Sequence, residues 1–74
     1  MKKHFYAITE SSKAHDVALA FNSQADRARY LADYGGNGAE EITAAEAKKH
    51  NEIRHFYSRT ENDWHSQLYP KHMW

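Results

Sequence analysis

Seven branched aliphatic side chains are all this chain of 74 residues offers for a core: Ile8, Val17, Leu19, Leu31, Ile42, Ile53 and Leu68. Three Phe, five Tyr and two Trp must fill the remaining volume. Leu, Ile, Val and Phe together fall below the roughly 20% level that, joined to high net charge, marks disorder. The net charge here is zero and proline occurs once, so the chain reads as folded. A domain this short buries only about 60% of the surface its unfolded form exposes, which leaves it marginally stable. So lean an interior leaves little room for an enclosed reaction centre. Usefulness must lie on the exterior, and a monomer or a homodimer fits a core of this size.

Cysteine is absent, which excludes disulfides and thiolate metal sites. Met1-Lys2-Lys3 opens like a secretory signal, but no apolar stretch of the needed length follows. No segment reaches the ~20 apolar residues that span a bilayer. The expected location is the cytoplasm.

Charge is arranged as a weak dipole. Residues 1–22 carry three Lys against two acids, net +1. Residues 23–47 carry two Arg against five acids, net −3, and residues 48–74 five basic residues against three acids, net +2. A nucleic-acid binder shows a strongly basic stripe instead. An ordinary solvated surface explains the acidic middle, and so does a face for a basic partner.

Local patterns predict an α+β fold. His4-Phe5-Tyr6-Ala7-Ile8-Thr9 is rich in strand formers, and residues 15–21 alternate, with Val17, Leu19 and Phe21 on one face. Joined by a polar turn at Glu10-Ser11-Ser12-Lys13, these runs predict an antiparallel β-hairpin over residues 1–22, its second strand half-buried. Ser23 caps a helix over 23–34, supported by Asp26 at its positive end, and Gly35-Gly36-Asn37-Gly38 stops it. Ala39–Ile42 is either a short third strand or an extended link. Thr43-Ala44-Ala45-Glu46 is a capping box, and the spacing of Ile53, Phe56 and Tyr57 predicts a helix over 43–58. Trp64 and Leu68, at i and i+4, predict a further short helix within 60–69 that Pro70 ends. Residues 70–74 form a tail, ordered only if Met73 or Trp74 docks. The expected architecture is thus an N-terminal hairpin packed on two helices and followed by an aromatic C-terminal segment.

Six histidines invite a metal reading: His4, His15, His50, His55, His65 and His72. On a helix His50 and His55 stand about 140° apart, so they do not share one ion. His4 and His15 can meet across the hairpin with Asp16, but spacing specifies no third ligand, and surface histidines are the simpler account. Ser11 and Ser12 lie near His15, with no chain left over to enclose them. Gly35–Gly38 follows a helix, whereas a phosphate cradle precedes one. The expectation is therefore no catalysis, no metal and no cofactor. Lys48, Lys49, Arg54 and Arg59, interleaved with Phe56, Tyr57 and Trp64, give a secondary reading, a nucleic-acid-binding accessory protein. Glu52, Glu61 and Asp63 interrupt its positive field.

A protein-binding surface accounts best for the aromatic C-terminal third, which holds Phe56, Tyr57, Trp64, Tyr69 and Trp74. Tyr, Trp and Arg dominate interface energetics, and Arg54 and Arg59, with His55 and His65, supply a polar rim. Tyr57, Trp64 and Tyr69 are the expected anchors.

Three segments carry a likeness to a known group: His4-Phe5-Tyr6-Ala7-Ile8, Phe21-Asn22-Ser23 leading into Asp26-Arg27, and Glu41-Ile42-Thr43-Ala44-Ala45-Glu46-Ala47. Spanning roughly residues 4–50, this layout resembles small phage and mobile-element proteins of the anti-CRISPR inhibitor type. The resemblance implies a protein that binds a host protein or ribonucleoprotein complex, a CRISPR effector or nuclease, and blocks target DNA binding or cleavage. It assigns no individual residue. Members that imitate DNA are acidic, and this chain, with zero net charge, departs from them. Occupation of a protein surface suits it better, with Asp26, Asp33, Glu40, Glu41 and Glu46 meeting basic residues that normally hold nucleic acid.

Overall fold

The computed structural model describes residues 3–60 and 63–74. Its elements run β1 (Phe5–Ile8), α1 (Glu10–Ala14), β2 (Val17–Phe21), α2 (Gln24–Tyr30), β3 (Glu40–Ile42), α3 (Ala44–Ala47), β4 (Glu52–Ser58) and β5 (Trp64–Leu68). A wide π-type turn, Leu31–Gly35, extends α2, and a 3-10 turn, Lys71–Met73, precedes Trp74. The fold is α+β: five strands form one mixed sheet in the order β3-β1-β2-β4-β5.

β1 and β2 pair antiparallel, Phe5 against Phe21 and Ala7 against Leu19. They are not a free hairpin joined by a loop. α1 links them, closed by a reciprocal cap that the polar run at 10–13 conceals. Thr9 Oγ1 accepts from Ser12 N–H at 3.1 Å, and Ser12 Oγ accepts from Thr9 N–H at 2.7 Å. Asp16 then turns the chain in the left-handed region at φ 58°, a conformation Asp tolerates better than most residues. Nor is β2 half-buried. It lies at the centre of the sheet with both faces covered, and Ala18, Leu19, Ala20 and Phe21 are all buried.

The helix expected over 23–34 forms, capped as its sequence indicates: Ser23 Oγ accepts from Asp26 N–H at 3.1 Å. It ends at the glycine run, where Gly36 (φ 60°) and Gly38 (φ 92°) take backbone angles that side-chain-bearing residues resist. The extended segment after it is a true strand, β3, antiparallel to β1.

The helix expected over 43–58 is corrected to a single turn. Thr43 Oγ1 accepts from Glu46 N–H at 3.2 Å and starts α3, which stops at Ala47. Lys48-Lys49-His50-Asn51 makes a turn, and Glu52–Ser58 becomes β4, parallel to β2. His50 and Asn51 are weak helix formers, and Ile53, Phe56 and Tyr57 are strand formers. As a strand, the segment buries Ile53 completely beside Ala18 and Ala20. The short helix expected within 60–69 is likewise corrected to β5, antiparallel to β4 with Tyr57 opposite His65 and Arg54 opposite Leu68. Part of that expectation, Glu61 and Asn62, lies outside the described residues.

Two thin layers sandwich the sheet. On one face Tyr6, Ile8, Ala18, Ala20, Ile42 and Ile53 meet Ala47 of α3 and Trp74. On the other, Ala7, Leu19 and Phe21 meet Tyr30, Leu31, Phe56 and Trp64. The small alanines of the central strands form a floor over which the aromatic rings lie. The tail is ordered because Trp74 docks: it is 7% exposed and its Nε1 donates to Tyr69 O at 3.2 Å. No helix among the described residues is long and apolar enough to cross a membrane.

Candidate functional site

Strand alternation decides where the expected anchors go. In β4, Phe56 lies with Arg54 toward the α2 face, while Ile53, His55 and Tyr57 lie toward the Trp74 face. In β5, Trp64 joins Phe21 and Tyr30 on the α2 side, and Arg29 lies over its ring at 4.9 Å. Its Nε1 is buried without a hydrogen-bond partner among the described residues. Tyr57 stacks on His65 on the opposite face (5.6 Å between centroids), and Tyr69 packs against Trp74 there. Trp64 and Arg54 are thus separated by the sheet from Tyr57 and Tyr69, so the expected anchors do not form one patch. The same alternation divides the basic-aromatic set of the nucleic-acid reading.

The acidic set is divided too. Glu41 faces α2 and pairs with Arg27, Nε to Oε2 at 3.3 Å, an ion-pair contact rather than an aligned hydrogen bond. Glu40, one residue earlier on β3, points to the other face. Asp26 pairs with Arg29 at 3.6 Å one turn along α2. Asp33 is exposed in the π turn, and Arg59 is exposed just beyond β4. Arg54 pairs with its strand neighbour Glu52.

The histidines separate as well. His4 precedes β1 and His15 precedes β2, so the antiparallel register sets them at opposite ends of the pair. His50 lies in the turn before β4, where its Nδ1 is 3.1 Å from Asp16 Oδ1. Among the described residues no three His, Cys, Asp or Glu side chains converge as a metal would require. Ser12, beside His15 in sequence, has its hydroxyl committed to Thr9.

Two features remain that bring residues together. The first is the outer edge of β5. The other edge strand, β3, has three residues, two of them glutamates; β5 has five, Trp64-His65-Ser66-Gln67-Leu68, with neither Lys nor Pro. Ser66 and Gln67 are exposed, and Leu68 is 50% exposed. Natural edges are ordinarily guarded by charge, proline or a bulge. The second is a cleft of about 290 Å³ on the Trp74 face, lined by His4, Asn22, His55, Tyr69, Met73 and Trp74. Its walls are rings set edge to face, His4 to Trp74 at 4.8 Å and His4 to His55 at 5.3 Å. Asn22 Oδ1 lies 2.8 Å from His55 Nε2.

Neither feature is visible without the strands. Reading 53–57 and 64–69 at period two would have placed His55, Tyr57, His65 and Tyr69 on one face. Nothing in the sequence brings His4 and Asn22 beside them, because that depends on the β1–β2 register and the parallel β2–β4 pairing. Comparison with protein-family models, with curated proteins and with solved structures finds no match to the chain.

Proposed function

We propose that this protein is a non-catalytic, cytoplasmic modulator that grips a partner protein by adding one of the partner's extended segments to the β5 edge. One observation carries the reading: among the described residues β5 is an outer strand without Lys or Pro that ends in exposed Leu68, while β3 is short and acidic. A row of backbone donors and acceptors along such an edge supplies affinity, and alternate side chains on either face supply specificity. Trp64 on one face and Tyr69 on the other flank that seam with half-buried rings, the residue types that anchor interfaces. The partner is a host protein or ribonucleoprotein complex. The likeness to anti-CRISPR inhibitors makes a CRISPR effector complex the first to test.

The experiment pairs Ser66→Lys/Leu68→Lys with Glu40→Lys/Glu41→Lys, which alters the opposite edge. Lysines on an exposed edge oppose strand addition without entering the core. Purified effector complex is titrated with each protein, and target-DNA binding by the complex is followed. The β5 variant should lose binding and inhibition about tenfold or more, equivalent to roughly 1.4 kcal/mol. The β3 variant should retain both, and thermal stability of both should stay near wild type. A complex that binds wild type and the β5 variant equally removes the edge from the mechanism. Absence of binding to any effector complex removes that class of partner.

A further inference from the structure

We infer that the cleft between His4, His55, Tyr69 and Trp74 is a site for a single unstacked nucleobase. This inference is independent of the β5 edge. Size sets the first limit: about 290 Å³ lies at the bottom of the range for small-ligand sites, roughly 300–1,000 Å³, so it holds one ring system. The lining sets the second. Among the described residues no Asp or Glu side chain lines the cleft, so a hard divalent cation finds no carboxylate side chain there. The walls are mainly ring faces and edges, which suit a flat apolar-faced molecule better than a bare anion.

What fits is a planar heteroaromatic ring with hydrogen-bonding edges. Ring faces stack on such a group whichever base it is, and an amide of the Asn type reads a base edge through its donor and acceptor atoms. Asn22 places that amide at the cleft, and His55, whose Nε2 lies beside Asn22 Oδ1, holds it. Trp74 is held in turn by its own bond to Tyr69 O. Across His4 and Trp74 lies an adjoining depression lined by Lys3 and Arg27, which gives a 5′-phosphate a cationic neighbour. Arg27 is already engaged by Glu41 and Lys3 Nζ lies over the Phe5 ring at 5.7 Å, so that attraction is modest and the rings carry most of the binding.

The base can belong to a free nucleotide or to a single strand, and one titration separates the two. Isotope-labelled full-length protein is titrated with the four nucleoside 5′-monophosphates, with ribose 5-phosphate and with a ten-nucleotide single-stranded oligomer, following the indole N–H resonance of Trp74. At least one monophosphate should shift that resonance saturably, while ribose 5-phosphate leaves it in place. Equal affinity for monophosphate and oligomer identifies a free nucleotide as the ligand. An oligomer at least tenfold tighter, weakening with salt, identifies a single strand. Asn22→Ala and Met73→Glu both lie at exposed positions, the latter 52% exposed, and each should weaken binding about tenfold with little change in melting temperature. No saturable shift up to about 10 mM of any probe would overturn the inference. So would an equal response to ribose 5-phosphate, or binding that both variants leave intact.

Discussion

Phe21→Ala is the sharpest test of the packing that positions both surface features. Phe21 is fully buried on the central strand, with Tyr30, Phe56 and Trp64 at 5.4, 6.2 and 6.2 Å between ring centroids. Truncating a buried Phe costs about 3–5 kcal/mol, from lost transfer energy and the cavity left behind. Each aromatic pair lost is worth about 0.5–1.5 kcal/mol, but these terms overlap with the first and do not add to it. At about 0.05–0.15 kcal/mol per residue, a domain of this length has roughly 4–11 kcal/mol in total. The substitution therefore removes from about a quarter of the stability to all of it. Urea unfolding followed by tryptophan fluorescence measures the loss, because Trp64 reports the Phe21 face and Trp74 the opposite one. With a slope near 1 kcal/mol per M, typical of a small domain, the midpoint should fall by about 3 M or the variant should be unfolded without denaturant. Phe21→Leu retains aliphatic volume and should lose less. A Phe21→Ala loss under about 1 kcal/mol would mean that the α2 face is not packed around this ring, and the reasoning would fail.

Where the sequence was legible, a local physical rule had no competitor. Ser23 and Thr43 each stand before a run of good helix formers, and each hydroxyl takes the N–H three residues on. Gly36 and Gly38 occupy backbone angles that few other residues accept, so the helix stop was legible as well. Where two rules compete, the residues alone do not decide. Trp64 and Leu68 are four apart, a spacing that shares a face in a helix and also in a strand. Ile53 and Tyr57 have the same spacing. The outcome turned on tertiary contacts: Ile53 is buried only because β4 lies parallel to β2, a pairing that spans the whole of α2, β3 and α3.

The surface features share that dependence. Glu40 and Glu41 are adjacent in sequence, yet strand alternation turns them to opposite faces and gives Glu41 to Arg27. Tyr57 and Trp64 are close in sequence and separated by the sheet. His4, Asn22, His55 and Trp74 come from four segments and meet only when the register is set. A composition rich in rings pointed to an exterior role, but the sheet decides which rings share a face.

Two further outcomes follow from the interior. Ser12→Ala should cost about 1–3 kcal/mol, because Ser12 and Thr9 are both buried and the Thr9 N–H would lose its partner. Thr43→Ala, at an exposed cap, should cost about 1 kcal/mol or less, and thermal melts of the two variants should rank in that order. The last outcome concerns alkaline pH. Burial raises the Tyr6 hydroxyl above its ordinary value of 10.0, and burial together with neighbouring Tyr34 raises that of Tyr30. As pH climbs through the ordinary value, unfolded chains release these protons first, so the folded state then holds more protons than the unfolded one. Stability is accordingly complete below that pH and declines as pH rises toward the raised folded values. Phe lacks the titrating hydroxyl, so Tyr6→Phe/Tyr30→Phe should flatten the decline. Urea midpoints measured from pH 8 to 11 check the sign, and a wild-type midpoint that rises across this range while the double variant stays level would contradict it.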